Sequence, residues 1–267
     1  MTVQVIDTIA GFRKALDAER AEGKTVGLVP TMGALHAGHA SLIDDAAKAC
    51  DVAAVTVFVN PLQFGPNADL PRYPRPFEAD VALAIEHGAQ YILHPSVEEM
   101  YGDRVLTTIH VAEITEGMEG AIRPGHFDGV ATVVAKLFNA AGPSTAFFGE
   151  KDFQQLQVVR QLVKDLSFPI EIVGCPIVRE ADGLALSSRN VYLSPQDRAA
   201  AAVLHRALQA GAVDIANAKA VITDIVTAEP RASLDYAEVV VTDHETRLLV
   251  AATFGTTRLL DNMGVTL

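Results

Sequence analysis

The chain has 267 residues, of which 49% are hydrophobic and 20% are charged, and its formal net charge is −12. This length can bury a full core, arranged as one large domain or two. The negative charge disfavours a nucleic-acid partner, and no apolar run approaches the roughly 18 residues that span a bilayer. Cys50 and Cys175 are far apart and no cationic, apolar leader is present, so we expect a cytoplasmic protein without a disulfide framework.

Up to about Pro176, apolar β-rich runs alternate with helical patterns. Amphipathic helices are predicted after Gly38, Pro76, Gly129 and Asp152. Short buried strands are predicted at residues 25–29, 52–59, 89–94, 145–148 and 170–173. This alternation predicts an α/β fold with a doubly wound parallel sheet, whose ligand site lies beyond the carboxyl ends of the strands.

The pattern changes in the last third of the chain. Ser194, followed by a proline and an acidic residue, has the features of a helix N-cap, and an alanine-rich helix is predicted from there to Gly211. A second helix is predicted at residues 218–228, and strands follow at 234–242 and 257–262. Helices followed by strands indicate an α+β unit. We therefore predict a first domain over residues 1–177 and a smaller C-terminal domain over residues 178–267.

The most informative segment is V-P-T-M-G-A-L-H-A-G-H, where a predicted strand gives way to a helix. Such a junction presents backbone N–H groups and the positive end of the helix dipole to an anion. His36 and His39 add side-chain donors, and Gly38 lets a ring or a phosphate approach the backbone. The segment predicts a nucleotide pocket. By itself it is also compatible with an ordinary strand–turn–helix unit, or with half of a metal site.

Four further segments carry polar residues that a site could use. F-V-N-P-L-Q-F-G places Asn60 and Gln63 after a buried strand, where amides can orient a hydroxy acid. R-P-G-H-F-D-G-V combines a guanidinium with a proline–glycine turn, and F-G-E-K-D places Lys151 at the carboxyl end of a strand. L-A-L-S-S-R-N supplies two hydroxyls and Arg189, which can clamp a triphosphate. Each segment alone is also compatible with a turn, a helix cap or a solvated helix start.

Together these segments resemble the family of pantothenate synthetases, the pantoate:beta-alanine ligases of the nucleotidyltransferase superfamily. The resemblance covers nearly the whole chain in the family's order. It rests on P-T-M-G-A-L-H-x-G-H, F-V-N-P-x-Q-F-G-P-N-x-D-L-x-x-Y-P-R, R-P-G-H-F-x-G-V-x-T-V-V-x-K-L-F-N, F-G-E-K-D and S-S-R-N-x-Y-L-S. H-A-G-H is the counterpart of the H-I-G-H signature of class I aminoacyl-tRNA synthetases, and L-S-S-R resembles their K-M-S-K-S loop.

The resemblance implies a Rossmann-like nucleotidyltransferase domain that binds ATP and pantoate, followed by a smaller lid domain. It also implies a reaction in two steps. ATP and pantoate first give pantoyl adenylate and pyrophosphate. Beta-alanine then attacks the acyl carbon, which releases AMP and pantothenate. Mg²⁺ is expected with the triphosphate, without an assigned protein ligand, and a homodimer is expected by analogy.

By matching position, the resemblance assigns residues to both substrates. His39 is expected to be the principal catalytic histidine, with His36, Lys151 and Arg189 as the other catalytic groups. The residues expected to bind ATP are Met32, Gly33, Ala34, Leu35, His36, Ala37, Gly38, His39, Gly149, Glu150, Lys151, Asp152, Val178, Leu186, Ser187, Ser188 and Arg189. The residues expected to bind pantoate or beta-alanine are Gln63, Gln155, Asn60, Tyr73 and Arg123.

The sequence departs from the family pattern at two places. Leu186 stands where methionine is usual, and the interval between Val241 and Leu259 looks short, which predicts a trimmed element in the second domain.

Two rival functions accompany this interpretation. One rival is an adenylyltransferase that joins ATP to a phosphorylated substrate such as nicotinate nucleotide or pantetheine phosphate. Such an enzyme has no use for the N-P-L-Q-F loop. The other is a nucleotide-binding regulatory protein without catalysis, against which Lys151 and Arg189 argue.

Overall fold

The computed structural model describes residues 3–65, 70–242 and 245–265, and the chain divides into two compact units, Met1–Pro176 and Ile177–Leu267. The strands and helices of the first unit are β1 Gln4–Ile6, α1 Ile9–Ala21, β2 Val26–Thr31, α2 Ala37–Ala49, β3 Val52–Val57, α3 Phe77–Glu86, β4 Tyr91–Leu93, α4 Val97–Tyr101, α5 Met118–Ile122, α6 His126–Ala141, β5 Ser144–Gly149, α7 Phe153–Leu166 and β6 Ile170–Cys175. Within the described ranges, no helix is long and apolar enough to cross a membrane.

A six-stranded parallel sheet forms the centre of the first unit, in the order β1-β4-β3-β2-β5-β6. The chain runs from β2 to β3 and β4 on one side and returns to place β5 on the other side of β2. In open α/β sheets, ligands bind where the strand order reverses in this way. The switch point therefore lies between the carboxyl ends of β2 and β5, and the predicted doubly wound sheet is confirmed.

Both faces of the central strands β2 and β3 are buried, which explains why these strands read as continuous apolar runs. Leu28 belongs to the core cluster that contains residues of α1, α6 and α7, whereas the next residue, Val29, belongs to the cluster that contains residues of α2 and α3. Successive side chains of a strand point to opposite faces. Helices on both faces thus hold β2 in place, and with it the turn that follows.

The second unit contains α8 Pro195–Ala201, α9 Val203–Val213, α10 Ala218–Thr227 and an antiparallel sheet of β7 Ala232–Val241, β8 Thr246–Phe254 and β9 Thr257–Val265. The sheet order is β7-β8-β9. The predicted α+β character of this unit is confirmed. The interval in which we expected a trimmed element holds β8, which is the central strand of the sheet.

Several element bounds differ from those predicted. The helix predicted from Ser194 to Gly211 is two helices, because the chain bends at Ala202, a residue type that gives no signal of a helix end. Helix α6 begins before Gly129, which lies inside it. Ser194 does cap α8, since its side chain accepts a hydrogen bond from the N–H of Asp197 at 3.1 Å. β1, α1, α4, α5 and β8 were not predicted.

Candidate active site

The candidate site of the first unit is built on the loops that leave β2, β3 and β5. These strands are neighbours, with Thr31 paired to Val57 and Leu28 paired to Ala146. Parallel strands end at the same edge of a sheet, so the loops that follow them converge there. The three strings predicted to bind substrates, P-T-M-G-A-L-H-A-G-H, F-V-N-P-L-Q-F-G and F-G-E-K-D, are therefore brought to one edge.

His36 and His39 form a reciprocal cap at the start of α2. The Nδ1 atom of His36 accepts a hydrogen bond from the N–H of Gly38 at 3.1 Å, and the N–H of His36 donates to the Nδ1 atom of His39 at 3.3 Å. The two ring centroids are 4.2 Å apart. A neutral imidazole whose Nδ1 accepts carries its proton on Nε2. Both histidines are therefore held as Nε2–H donors.

Partial burial keeps both half-buried rings neutral. Desolvation, with the nearby Lys151 ammonium adding to it, lowers the pKa of His36 to about 4. Desolvation, with His36 as the next cause, lowers the pKa of His39 to about 3. At neutral pH each ring can donate one hydrogen bond without carrying a charge.

The expectation that this turn offers its backbone N–H groups to an anion is wrong for the residues before α2. The N–H groups of Ala34 and Leu35 donate to the two carboxylate oxygens of Asp80, at 2.9 and 2.7 Å. The N–H of Gly33 donates to the Oγ1 atom of Thr31 at 3.1 Å. Donors for a ligand must come mainly from side chains here. No motif in the sequence marked Asp80.

Lys151 supplies a positive charge close to the histidine pair. It lies in a short 3-10 turn, Glu150–Asp152, that follows β5 at Gly149. Its Nζ atom lies 3.8 Å from the Oδ2 atom of Asp152, and its side chain is 19% exposed. Its charge contributes to the lowered pKa of His36. The structure thus groups Lys151 with both histidines, as expected.

A buried amide cluster fixes the side chain of Gln63. The amide nitrogen of Asn60 donates to the Oε1 atom of Gln63 at 3.0 Å and to the carbonyl of Gly129 at 3.1 Å. The Tyr101 hydroxyl donates to the Oδ1 atom of Asn60 at 2.7 Å. Gln63 in turn donates to the sulfur of Met32 at 3.0 Å. Asn60 is only 1% exposed, and its hydrogen bond to Gln63 positions that side chain.

Close approach of α6 to this cluster depends on Gly129. A Cβ atom at that position would lie 2.4 Å from the carbonyl oxygen of Leu62 and 2.6 Å from the backbone nitrogen of Gln63. Only glycine lets the helix approach the Pro61–Gln63 turn so closely. The helix thereby presses on the turn that carries Gln63.

His126 connects the R-P-G-H segment to the same cluster. Its Nδ1–H donates to the carbonyl of Gln63 at 3.0 Å, and its Nε2 atom accepts from a guanidinium nitrogen of Arg123 at 3.2 Å. Desolvation, followed by the charge of Arg123, lowers the pKa of His126 to about 4. We did not predict this residue, although it stands inside a string on which the resemblance rests.

Two further predicted residues, Tyr73 and Gln155, and the neighbouring Gln154 differ in their contacts. Tyr73 is buried, and its hydroxyl lies 3.4 Å from the carbonyl of Gly33, which joins it to the turn after β2. Gln154 holds the backbone of segment 114–119 through three hydrogen bonds. Gln155 is half-buried, and its side chain makes no hydrogen bond to any residue that the structure describes.

In the second unit, the predicted triphosphate-binding residues follow a hairpin. The N–H of Leu186 donates to the carbonyl of Val178 at 3.0 Å, and Arg179 pairs with Ala185. The Arg179 guanidinium binds both oxygens of the buried Asp261, at 2.6 and 2.9 Å.

Ser187 begins a 3-10 turn, Ser188–Tyr192, by accepting a hydrogen bond from the N–H of Arg189 at 3.2 Å. Ser188 and Arg189 lie in that turn, and both are half-buried. The hairpin thus fixes where the S-S-R segment starts.

The structure offers no cluster that would support the metal interpretation of H-A-G-H. Within residues 3–65, 70–242 and 245–265, no group of three or more His, Cys, Asp or Glu side chains could hold a metal ion. The Nδ1 atoms of His36 and His39 are already occupied by the helix cap.

A doubly wound sheet with Nε2–H imidazoles and a lysine at its switch point defines a nucleotide-binding α/β enzyme of the nucleotidyltransferase class. The model of the family described as pantoate-beta-alanine ligase matches residues 4–264. The chain belongs to this family, as the sequence motifs predicted.

Relatives and solved structures agree over the full length. The chain is 48% identical to a pantothenate synthetase of Caldicellulosiruptor bescii, with 98% of each chain covered, and 48% identical to one of Pseudomonas aeruginosa, with 98% of this chain and 99% of the relative covered. The crystal structure of pantothenate synthetase from Thermus thermophilus is similar with a TM-score of 0.92, 46% identity and coverage of 98% and 99%.

A pantoate-beta-alanine ligase from Francisella tularensis, complexed with beta-gamma ATP and beta-alanine, is similar with a TM-score of 0.86, 34% identity and 98% coverage of both chains. That similarity extends to both units of the present chain, because the coverage includes nearly all of it. The predicted fold class is thereby confirmed in a second way.

Proposed function

We propose that the site at the switch point performs the reaction of its family: ATP-dependent condensation of (R)-pantoate with beta-alanine to pantothenate, through pantoyl adenylate. A carboxylate oxygen of pantoate attacks the α-phosphorus, and pyrophosphate leaves. The amine of beta-alanine then attacks the acyl carbon, and AMP leaves. The observation that carries this proposal is the pair of fixed Nε2–H donors beside Lys151, at the end of β2.

In this proposal, ATP lies along the turn of residues 32–39. The Nε2–H groups of His36 and His39 donate to phosphate oxygens, and Lys151 neutralises the α-phosphate as the phosphorus becomes five-coordinate. Charge grows on those oxygens in the transition state, so these preorganised donors stabilise it more than they stabilise the bound substrate. Asp152 orients Lys151, because its carboxylate lies within 3.8 Å of the ammonium.

We assign the amide cluster to pantoate. Gln63 has a fixed orientation, because Asn60 donates to its oxygen and thereby leaves its NH₂ group as the donor. The side chain of Gln155, which makes no hydrogen bond to a described residue, can hold the other end of the same hydroxy acid. Tyr73 lies at the turn after β2, and Arg123 acts with His126 beside Gln63.

The second step needs no protein nucleophile, because beta-alanine supplies the attacking amine. Holding two reactants in the right geometry can lower a barrier by about 7–11 kcal/mol. We propose that Ser187, Ser188 and Arg189 bind the triphosphate and that the backbone of Val178 contacts adenine. Gly149 and Glu150 belong to the ATP-binding loop. ATP enters as its Mg²⁺ complex, and we further propose a cytoplasmic homodimer.

The test is a substrate-omission assay of the purified full chain. The chain is incubated with MgATP, pantoate and beta-alanine, and each is omitted in turn while AMP, pyrophosphate and pantothenate are measured. We expect AMP and pantothenate only in the complete mixture, and pyrophosphate exchange with ATP when only beta-alanine is missing. AMP formation that does not depend on pantoate would contradict the proposal.

The same assay separates the rivals. An adenylyltransferase would release pyrophosphate without AMP when nicotinate nucleotide or pantetheine phosphate replaces pantoate. A regulatory protein would bind ATP and release neither AMP nor pyrophosphate.

A further inference from the structure

The turn between β2 and α2 holds one residue, Ala34, in a conformation that alanine does not favour. Ala34 has a φ of +52°, in the left-handed region, and Gly33 has a φ of +80°. A non-glycine residue in that region is strained and persists only when its surroundings hold it. Something outside the turn must therefore stabilise it.

Asp80, in the first turn of α3, supplies that stabilisation. Its two carboxylate oxygens accept hydrogen bonds from consecutive N–H groups, those of Ala34 and Leu35, at 2.9 and 2.7 Å. Asp80 as a whole residue is 2% exposed. Gly33 is required for this approach, since a Cβ there would lie 2.8 Å from the Oδ2 atom of Asp80. Hydrogen bonds to a carboxylate are about twice as strong as neutral ones.

The turn held by Asp80 leads directly into the histidine pair. Leu35 precedes His36, whose own N–H and ring make the reciprocal cap with His39. A shift of the Leu35 backbone would change the direction of both Nε2–H groups. We propose that Asp80 is a positioning residue for adenylation: it sets the aim of the two imidazoles at the phosphates without touching the substrate. This inference rests on the proposed function.

The test compares Asp80→Asn with Glu78→Gln. Asparagine keeps the shape of aspartate but presents an NH₂ group to one of the two N–H donors. Glu78 lies in the same first turn of α3 and is exposed, so Glu78→Gln removes the same charge from the same helix end without touching the turn. The first measurement is hydrogen exchange of the Ala34 and Leu35 amides in the protein without substrates.

The second measurement is kcat for ATP–pyrophosphate exchange with pantoate. We expect Asp80→Asn to lose protection at both amides and about 10²-fold in kcat, while the KM for beta-alanine in the full reaction stays within about twofold. Glu78→Gln should match the wild-type protein in both measurements. Equal losses in the two variants would overturn the proposal, as would normal kcat in Asp80→Asn after both amides have lost protection.

Asp80→Glu keeps the test decisive if Asp80→Asn does not fold. It retains the charge and two acceptor oxygens, so we expect it to recover part of the amide protection and a matching part of kcat. Full activity in Asp80→Glu with unprotected amides would refute the positioning role. Hydrogen exchange of the two amides is measured without turnover. If the wild-type protein made no pantothenate, that result would contradict the proposed function, and the exchange data would still test whether Asp80 holds the turn.

Discussion

At the residue scale, the candidate site uses two neutral imidazoles as donors. Each Nδ1 atom accepts a backbone N–H from within residues 36–39, and burial holds the pKa of each ring at about 3 or 4. A neutral donor at these half-buried positions avoids the desolvation cost that a cation would have there. It still strengthens its hydrogen bond as charge develops on the phosphate. The short segment from His36 to His39 thus contains both the donors and the groups that orient them.

This arrangement separates the two ring nitrogens of His39 by function. His39→Gln places an amide N–H near the position of Nε2 but loses the acceptor for the His36 N–H. His39→Asn keeps an acceptor near the position of Nδ1, but its shorter side chain has no donor at the position of Nε2. We expect His39→Asn to lower kcat for pyrophosphate exchange about 10²- to 10³-fold, and His39→Gln to retain more activity but less thermal stability. The measurements are kcat and Tm.

His87→Gln is the matched control for that pair. His87 is half-buried, interacts with Asp44 at 2.9 Å and lies at the end of α3, so both kcat and Tm should change little. Higher activity in His39→Asn than in His39→Gln would show that Nδ1, and not Nε2, serves the reaction.

The role of Asp80 could not be predicted from sequence in the way that His36 and His39 were. Histidines beside a glycine at a strand–helix junction have chemistry that the residue types themselves imply. Asp80 acts on backbone N–H groups, which every residue except proline has, and it does so from a different helix. His126 is an intermediate case. It belongs to the R-P-G-H-F motif, so the sequence contained a signal for it, but its hydrogen bonds to Arg123 and Gln63 depend on the tertiary structure.

At the element scale, the contact between α6 and the Pro61–Gln63 turn should be sensitive to a single methyl group. Alanine is a better helix former than glycine by about 1 kcal/mol, so Gly129→Ala would stabilise an isolated helix. In the protein its Cβ would meet the Leu62 carbonyl at 2.4 Å. We expect a net loss of about 1–3 kcal/mol in the free energy of unfolding, measured in urea, together with a raised KM for pantoate.

Gly117→Ala is the control for this steric argument, because its Cβ would meet nothing within 4 Å. It should leave stability nearly unchanged. A Gly129→Ala protein as stable as the wild type would show that α6 can move away from the turn without cost.

The hairpin before the S-S-R segment depends on a buried ion pair. Asp261 is fully buried and Arg179 is one-fifth exposed; breaking a fully buried pair costs about 3–5 kcal/mol, and the cost is lower where the remaining charge reaches water. Asp261→Asn should therefore destabilise the second unit and raise the KM for ATP. Asp235→Asn breaks the ion pair with Arg258 in the same sheet. Both of those side chains are more than one-fifth exposed, so the loss in the free energy of unfolding should be at most about 1 kcal/mol. Equal stability losses, compared by urea unfolding, would refute the special role of Asp261.

The elements that the sequence predicted well are those with local signals. The central strands β2, β3 and β5 are apolar runs, and the Ser194 cap is a side chain that the structure shows in place. The bend at Ala202 has no such signal, since the residues before it are also alanine. β8 is buried along nearly its whole length and so lacks the alternation that marks a half-exposed strand.

At the scale of the whole molecule, a chain with net charge −12 has to bind an anionic nucleotide. Its cations must then be concentrated where the phosphates lie, which is why Lys151, Arg123 and Arg189 were informative inside their motifs. Neutral histidines fit the same requirement, because they donate hydrogen bonds without the cost of burying further charge. The same burial makes the stability of the protein depend on pH.

His36, His39 and His126 have pKa values of about 4, 3 and 4 in the folded protein, compared with 6.5 in the unfolded chain. Below pH 6.5 the unfolded state therefore binds more protons, and stability falls as pH decreases toward 4. Carboxylates titrate mostly below this range, so urea unfolding between pH 6.5 and 5 reports mainly histidines. The stabilisation from these rings is fully present above about pH 6.5.

His126 is the sharpest test of this dependence, because it is 8% exposed. Each such histidine contributes a slope of about 1.4 kcal/mol per pH unit once the unfolded chain is protonated. His126→Gln should be less stable than the wild type at pH 7, yet should lose about 1 kcal/mol less between pH 6 and pH 5. An unchanged slope in His126→Gln would mean that the ring is protonated in the folded protein, and that it cannot accept the hydrogen bond from Arg123.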